Sequence, residues 1–216
     1  DYPRAERLTD YEVGYGFRSR TFTAGLNLYY MDYHDQLVLN GKQSDVGGKL
    51  SENVASSHRM GAELNASWKI CPMLRWDLAG AVSKNQIQRY HLYAWSDQAG
   101  AEVLTTYDRT PIAYSPQLVL SNTLTFAHRA FEAALTSQYV GMQYLDNTGS
   151  RERSLPAYHV ASLRLGYELP VHFVRSWSIS LQVNNLFDAR YSSNGGADYY
   201  TFDKKGAISS YTWTYP

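Results

Sequence analysis

A single cysteine, Cys71, stands in the 216 residues of the chain, so no internal disulfide can form and no cysteine-based metal site can be assembled. It lies beside Pro72 and reads as a turn residue. No apolar run approaches the roughly 18 to 20 residues of a membrane-spanning helix, and no cleavable leader opens the sequence. Any membrane crossing must therefore be made by strands, and the opening Asp1-Tyr2-Pro3 has the look of a mature or internal segment. An excess of one charge is missing as well. With 20 basic and 20 acidic residues, neither a nucleic-acid-binding field nor an acidic solvating tail is expected. Glycine-rich phosphate loops, nucleophile elbows and zinc-protease motifs are absent. His34, His58, His91, His128, His159 and His172 are scattered without the spacing of a metal site or catalytic triad. Neither an enzyme, a cofactor nor a bound metal is expected.

What the chain has in quantity is aromatic residues. Its 19 Tyr, 5 Trp and 7 Phe make up 14% of the sequence, and amphipathic rings concentrate where one end is dry and the other wet. Period-two alternation, the mark of a half-buried strand, recurs along the chain, and no helical period does. In Arg59–Ile70, Met60, Ala62, Leu64, Ala66, Trp68 and Ile70 share one face while Arg59, Gly61, Glu63, Asn65, Ser67 and Lys69 share the other. The same reading predicts strands at 11–18, 22–30, 74–82, 118–126, 131–139, 161–169 and 177–183. These eight strands suit the roughly 9 to 11 residues of a tilted membrane strand better than the 5 or 6 of an ordinary one.

The connections alternate in length. Short turns are expected near Ser19-Arg20, Cys71-Pro72, His128-Arg129 and Pro170–Arg175, and long polar loops at Asn40–Asn53, Ala94–Ala113, Asn147–Pro156 and from Ser192 onward. Outer-membrane barrels have short periplasmic turns and long extracellular loops. At the short-turn end the apolar faces carry Trp68, Trp76, Phe126, Phe131, Tyr167 and Trp177, with Tyr30 and Tyr139 toward the other end. Two such lines of rings are expected to form membrane-interface girdles.

Three stretches resemble the C-terminal barrel of the TonB-dependent receptor family. The run from Pro3 through Glu6 to Tyr11-Glu12-Val13-Gly14-Tyr15 is similar to the family's proline-glutamate lead into a tyrosine-glutamate-x-glycine strand. Leu26–Asn53, with Tyr29-Tyr30-Met31-Asp32-Tyr33, resembles its next hairpin. Val183-Asn184-Asn185-Leu186-Phe187-Asp188 resembles its penultimate strand. The resemblance implies an all-β, antiparallel transmembrane barrel fragment, about eight strands of a 22-stranded barrel. Residues 1–216 would form its C-terminal portion, with the plug domain and last strand outside the chain. It further implies an outer-membrane receptor of a Gram-negative bacterium. Such a receptor imports a scarce ligand (iron-siderophore, haem, cobalamin or glycan) on TonB-transmitted energy. The partners implied are membrane lipid and lipopolysaccharide, the protein's own plug, the TonB complex and the small-molecule ligand.

The polar faces set Arg18, Arg59, Lys69, Arg75 and Arg164 against Glu12, Glu63, Asp77, Glu132 and Glu168. A lumen wall of mixed sign fits cross-strand pairing and contact with a plug, and pairs Glu63 with Arg59 and Asp77 with Arg75. Ligand capture is expected on the long loops, at Trp95, Tyr107, Arg109, Arg151, Arg153, Tyr199 and Tyr200, where rings can stack and guanidiniums can hold an anion. Two rival readings use the same strands: a passive porin-like channel, and a soluble β-sandwich or lectin-like binding module.

Overall fold

The computed structural model describes residues 3–44, 46–96, 100–170, 177–202 and 208–215. Thirteen strands follow in order among them: β1 (Arg7–Arg18), β2 (Phe22–Gln43), β3 (Lys49–Cys71), β4 (Leu74–Ser96), β5 (Ala101–Pro111), β6 (Leu118–His128), β7 (Phe131–Val140), β8 (Gln143–Tyr144), β9 (Ser154–Leu155), β10 (Tyr158–Glu168), β11 (Ser178–Val183), β12 (Asn194–Phe202) and β13 (Ile208–Tyr215). The principal sheet is antiparallel throughout, ordered β1-β2-β3-β4-β6-β7-β10-β11, with β5 paired to the far half of β4. Strands β12 and β13 form one separate hairpin and β8 and β9 another.

All eight strands read from the alternation are present, and most run further than the alternation does. Strands β2, β3 and β4 have 22, 23 and 23 residues, about twice what a membrane crossing needs. Two stretches expected as loops, Asn40–Asn53 and Ala94–Ala113, are largely the ends of hairpins β2–β3 and β4–β5. The segment from Ser192 onward contains the β12–β13 hairpin. Polar composition there belongs to strands that continue past the apolar band rather than to irregular chain.

The register aligns the aromatic residues of the apolar face. Phe22, Trp68 and Trp76 are successive neighbours across β2, β3 and β4 in one transverse row that continues through Leu124, Leu135 and Leu163. Phe17 pairs with Ala24, two residues above that row. Phe126 lies two below it, and Phe131 and Tyr167, which pair with each other, lie four below. Trp177, whose carbonyl accepts from Leu169 N at 2.7 Å, lies six below. The aromatic line thus falls eight residues across seven neighbouring strand pairs. At about 3.3 Å per residue and 4.8 Å between strands, a level belt requires strands tilted about 38°, inside the range of closed barrels. Eight residues above it on successive strands stand Thr9, Tyr30, Met60, Lys84, Leu118, Tyr139 and His159. At that tilt the two lines are about 21 Å apart, close to the roughly 25 Å apolar band of an outer-membrane barrel.

Between the lines the apolar face is exposed along its length, Val13, Tyr15, Leu28, Leu64 and Leu135 among others. The opposite face is polar, and close approach is handled there by glycine. Gly61 sits under the Tyr29 ring, where an added Cβ would run into the Tyr29 ring and the Val82 carbonyl. Arg164 pairs with Glu132 at 2.6 Å, Arg75 with Asp77 at 2.8 Å, and Asn27 donates to Glu12 at 3.4 Å. Ser67 adds a bond to Asp77 at 2.7 Å. The expected Arg59–Glu63 pair is corrected. Two residues four apart on one strand stand about 13 Å from each other, and the Arg59 guanidinium instead lies 5.4 Å from the Tyr33 ring.

Candidate ligand-binding mouth

Above the upper line the sheet changes which side chains it turns to its polar face. Asp35 in β2 and Arg89 in β4 adopt φ of 56° and 57°, and the ladder omits the Asp35–Ala55 and Arg89–Asp108 steps without any shift of register. Below the break odd-numbered residues of β4 share the polar face. Above it the even-numbered Tyr90 and Leu92 join the odd-numbered Ile87 in one buried cluster with Val38, Val54 and Ile112. The Gln36–Ser57 hydrogen bond, 2.5 Å, joins opposite parities of the β2–β3 pair in the same way. The left-handed residues therefore invert the alternation and bring apolar side chains to the inner side of the long-loop end.

On this cluster the connecting segments build a second layer. Asp146 is the hub of the 145–155 segment. Its carboxylate accepts from Thr148 N at 2.7 Å and from Arg153 Nε at 2.6 Å, the two charged side chains being 9% and 6% exposed. Leu145 N donates to Arg153 O, and Tyr114 N to Tyr144 O, each at 2.9 Å. Asn147 Oδ1 accepts from Ala113 N at 2.8 Å. Leu145 and Leu155 pack with Ala197 of β12, and Tyr114 donates its hydroxyl to Gly195 O at 3.0 Å. Trp213 of β13 lies 5.5 Å from Lys49 Nζ. The β12–β13 hairpin is thereby docked on the mouth.

A cavity of about 240 Å³ opens between these layers, lined by Gln36, Val38, Tyr90, Tyr114, Asp146 and Asn147, with Ala197 of the hairpin and Lys42 and Lys49 also at its wall. Tyr90 donates to Leu39 O at 2.9 Å. Burial, then the carboxylates of Asp146 and Glu52, hold its phenol well above the usual tyrosine range, and burial raises Tyr107 and Tyr114 too. These phenols are neutral donors at ordinary pH. Lys42 pairs with Glu102 at 3.5 Å and lies 3.9 Å from the Tyr93 ring. The wall thus combines apolar surface, uncharged hydroxyls and amides, the Asp146 carboxylate, and ammonium groups steadied on rings, a set suited to a compact partly apolar ligand with acceptor atoms.

The residues singled out in the sequence are distributed unevenly around this mouth. Tyr107 packs on the buried cluster, its ring 6.1 Å from that of Tyr90. Arg153 is buried within its own loop, while Arg151 and Arg109 are exposed. Trp95 lies in β4 and Tyr199 and Tyr200 in β12, their side chains outside the described residues. Gln36, Tyr90, Tyr114, Asp146 and Asn147 were not singled out. Only the Asx-rich Asp146-Asn147-Thr148 run carries a local signal of tight turn chemistry. Of the lumen-facing set, Glu12, Arg59, Asp77 and Arg164 make the polar-face contacts given above. Arg18, Glu63 and Glu168 are exposed at their register positions on that sheet.

A family model described as "TonB dependent receptor-like, beta-barrel" matches residues 3–186. The pesticin receptor of Yersinia enterocolitica is 24% identical over 197 residues, 88% of this chain and 26% of the relative; that of Yersinia pestis is likewise 24% identical over 197 residues. The crystal structure of the ferric yersiniabactin uptake receptor from Yersinia pestis superposes with a TM-score of 0.61 at 20% identity, over 95% of this chain and 28% of that one. The copper transporter OprC superposes with a TM-score of 0.66 at 19% identity, over 89% and 27%. The chain thus spans about a quarter of the length of these relatives.

Proposed function

Because the chain belongs to the TonB dependent receptor-like β-barrel family, we propose that it is part of a Gram-negative outer-membrane receptor that captures a scarce ligand at its mouth and imports it on TonB-transmitted energy. A metal complex is the favoured ligand. Structures that the chain resembles are those of receptors or transporters of ferric yersiniabactin, ferric catecholate and copper, and the mouth offers neutral donors beside ammonium groups rather than a ladder of sugar-stacking rings. Haem, cobalamin and glycan remain in the ligand panel. The observation that carries the reading is the pair of parallel interface lines about 21 Å apart on a continuous tilted sheet. A soluble sandwich would have no use for them.

On this reading the polar face, from Glu12 and Arg18 to Arg164 and Glu168, lines the lumen and meets a plug encoded elsewhere in the protein. The edges at β1 and β11 pair with further barrel strands. The test is uptake of radiolabelled ferric siderophores by cells producing the full-length protein, with and without a protonophore. Energy-dependent accumulation of one ligand is expected. Accumulation unaffected by the protonophore would assign a passive channel instead.

A further inference from the structure

Hydrogen-bonding side chains are rare on the apolar face, and they cluster. Among the described residues, the outward strand positions between the two lines carry Tyr11 and Tyr15 on β1 and otherwise only Asn122 of β6 and Ser137 of β7. Asn122 is directly opposite Ser137, and such residues of an antiparallel pair share a face with their Cβ atoms about 5 Å apart. On the other side of β7, Ser137 Oγ lies 2.6 Å from Nε2 of His159 on β10, a residue of the upper line. Asn122 Nδ2 donates toward the same serine, 3.5 Å from Ser137 O. Asn122 and Ser137 are half-buried and His159 is exposed. The histidines have no catalytic spacing in the sequence; the register of β7 and β10 brings His159 to a serine 22 residues away. A polar side chain turned to hydrocarbon is costly, and its default meaning is a function.

We infer that Asn122, Ser137 and His159 form an acyl-hydrolase site that opens to the membrane and cleaves ester-linked acyl chains of lipids. The hydroxyl–imidazole separation is that of a nucleophile and its general base. With the imidazole proton on Nδ1, Ser137 donates to Nε2. Ser137 Oγ then attacks the ester carbonyl carbon while Nε2 takes its proton, and the Asn122 amide donates to the oxygen on which negative charge collects. The carbonyl re-forms as the bond to the alcohol oxygen breaks, and the alcohol leaves with the proton from Nε2. Water, giving a proton to the same nitrogen, attacks the acyl-Ser137 ester; the fatty acid departs and the serine hydroxyl is restored. Only water is consumed. Depth selects the substrate, because Ser137, two residues below Tyr139, is about 5 Å beneath the upper line at a tilt of about 38°, where ester groups join headgroup to acyl chain. Leu120 and Leu135, 37% and 39% exposed, give the acyl chain an apolar wall, while His159 at the line stays within reach of water.

The inference rests on the outer-membrane reading above, and its test separates the two. Full-length protein refolded in detergent is treated with an alkyl fluorophosphonate, from which a nucleophilic serine displaces fluoride, and the adduct is located by peptide mass spectrometry. Labelling is expected at Ser137, to be lost in S137A and slowed by on the order of 10² in H159Q. Fatty acid released from mixed micelles of phosphatidylethanolamine, or of lipid A, is measured alongside, which tells glycerol-linked from sugar-linked esters. Release from at least one of them should vanish in S137A and fall by on the order of 10² in N122A. It should keep the wild-type rate in S121A, a control on the polar face of β6. No adduct at Ser137, equal labelling of H159Q, release from neither lipid, or release that S137A leaves intact overturns the site. Heat-modifiable migration of the same preparations reports on the barrel separately: a protein that lacks it refutes the membrane reading, and one that shows it without a Ser137 adduct refutes only the hydrolase site.

Discussion

The Asp146–Arg153 pair is the mouth's most exposed vulnerability. Replacing Arg153 with Met keeps the side chain's length and apolar bulk but strips the guanidinium from a carboxylate that is 9% exposed. Breaking a buried pair from one side destabilises by about 3 to 5 kcal/mol, because the Asp146 carboxylate stays desolvated and loses the guanidinium that offsets this cost. The loss should be local, since the segment hangs from the barrel by a few hydrogen bonds and local openings are cheaper than global unfolding. Hydrogen exchange of the full-length protein reads it directly at the amides of Leu145 and Tyr114, which donate to Arg153 O and Tyr144 O at 2.9 Å. At 1.4 kcal/mol per decade, protection at both should fall by on the order of 10² to 10³, while Leu64 and Leu165 in the sheet stay unchanged. The double substitution Asp146→Asn with Arg153→Met should recover most of the loss. A drop under about fivefold in the single variant, or one equally large in the sheet, would refute the assignment of Asp146 as the hub.

Three further outcomes follow from the fold. Leu64→Arg, at mid-height on the apolar face, should destabilise the refolded receptor in vesicles by about 2 to 4 kcal/mol in denaturant titrations, whereas Glu63→Arg on the other face should change it by less than about 1 kcal/mol. Gly61→Leu should lower the yield of heat-modifiable barrel, because its side chain displaces the Tyr29 ring and meets the Val82 carbonyl; the double variant with Tyr29→Ala should recover only part, since the carbonyl stays. The Tyr90 phenol is raised above its unfolded value by burial, so the stability it contributes is fully present below about pH 10 and is lost as pH rises above that value. Tyr90→Phe should flatten the alkaline loss of mouth stability, read by hydrogen exchange at Leu92 and Ile87.

The strands and their sidedness were legible because lipid on one side and water on the other force a period of two, as in Arg59–Ile70. That the rings share the apolar face was legible for the same reason, though their alignment across the strands required the register. Sequence alone did not reveal that β2 and β4 continue to Gln43 and Ser96. Beyond Asp35 and Arg89 both faces meet water or protein, the alternation changes phase, and a polar strand resembles a loop. Arg153 looked like an available cation because its partner lies seven residues back across a turn whose closure no spacing rule anticipates. The cavity was invisible for a similar reason: Gln36, Tyr90, Tyr114 and Asn147 come from segments that meet only when the hairpins stack.

The inversion at Asp35 and Arg89 lets a single ribbon serve two trades. Its lower half is written for hydrocarbon outside and its upper half for a dry lining inside, with no residue added or removed between them. A deep mutational scan along β4 should therefore keep its hydrophobic preference on even positions across position 89, while what those positions face changes from lipid to the chamber. Hydrophobic tolerance would sit on even positions facing lipid below, and on even positions facing the chamber above. Anyone grafting a new mouth onto such a barrel would have to carry the left-handed residue with it, or the transplanted lining would turn its back on the cavity.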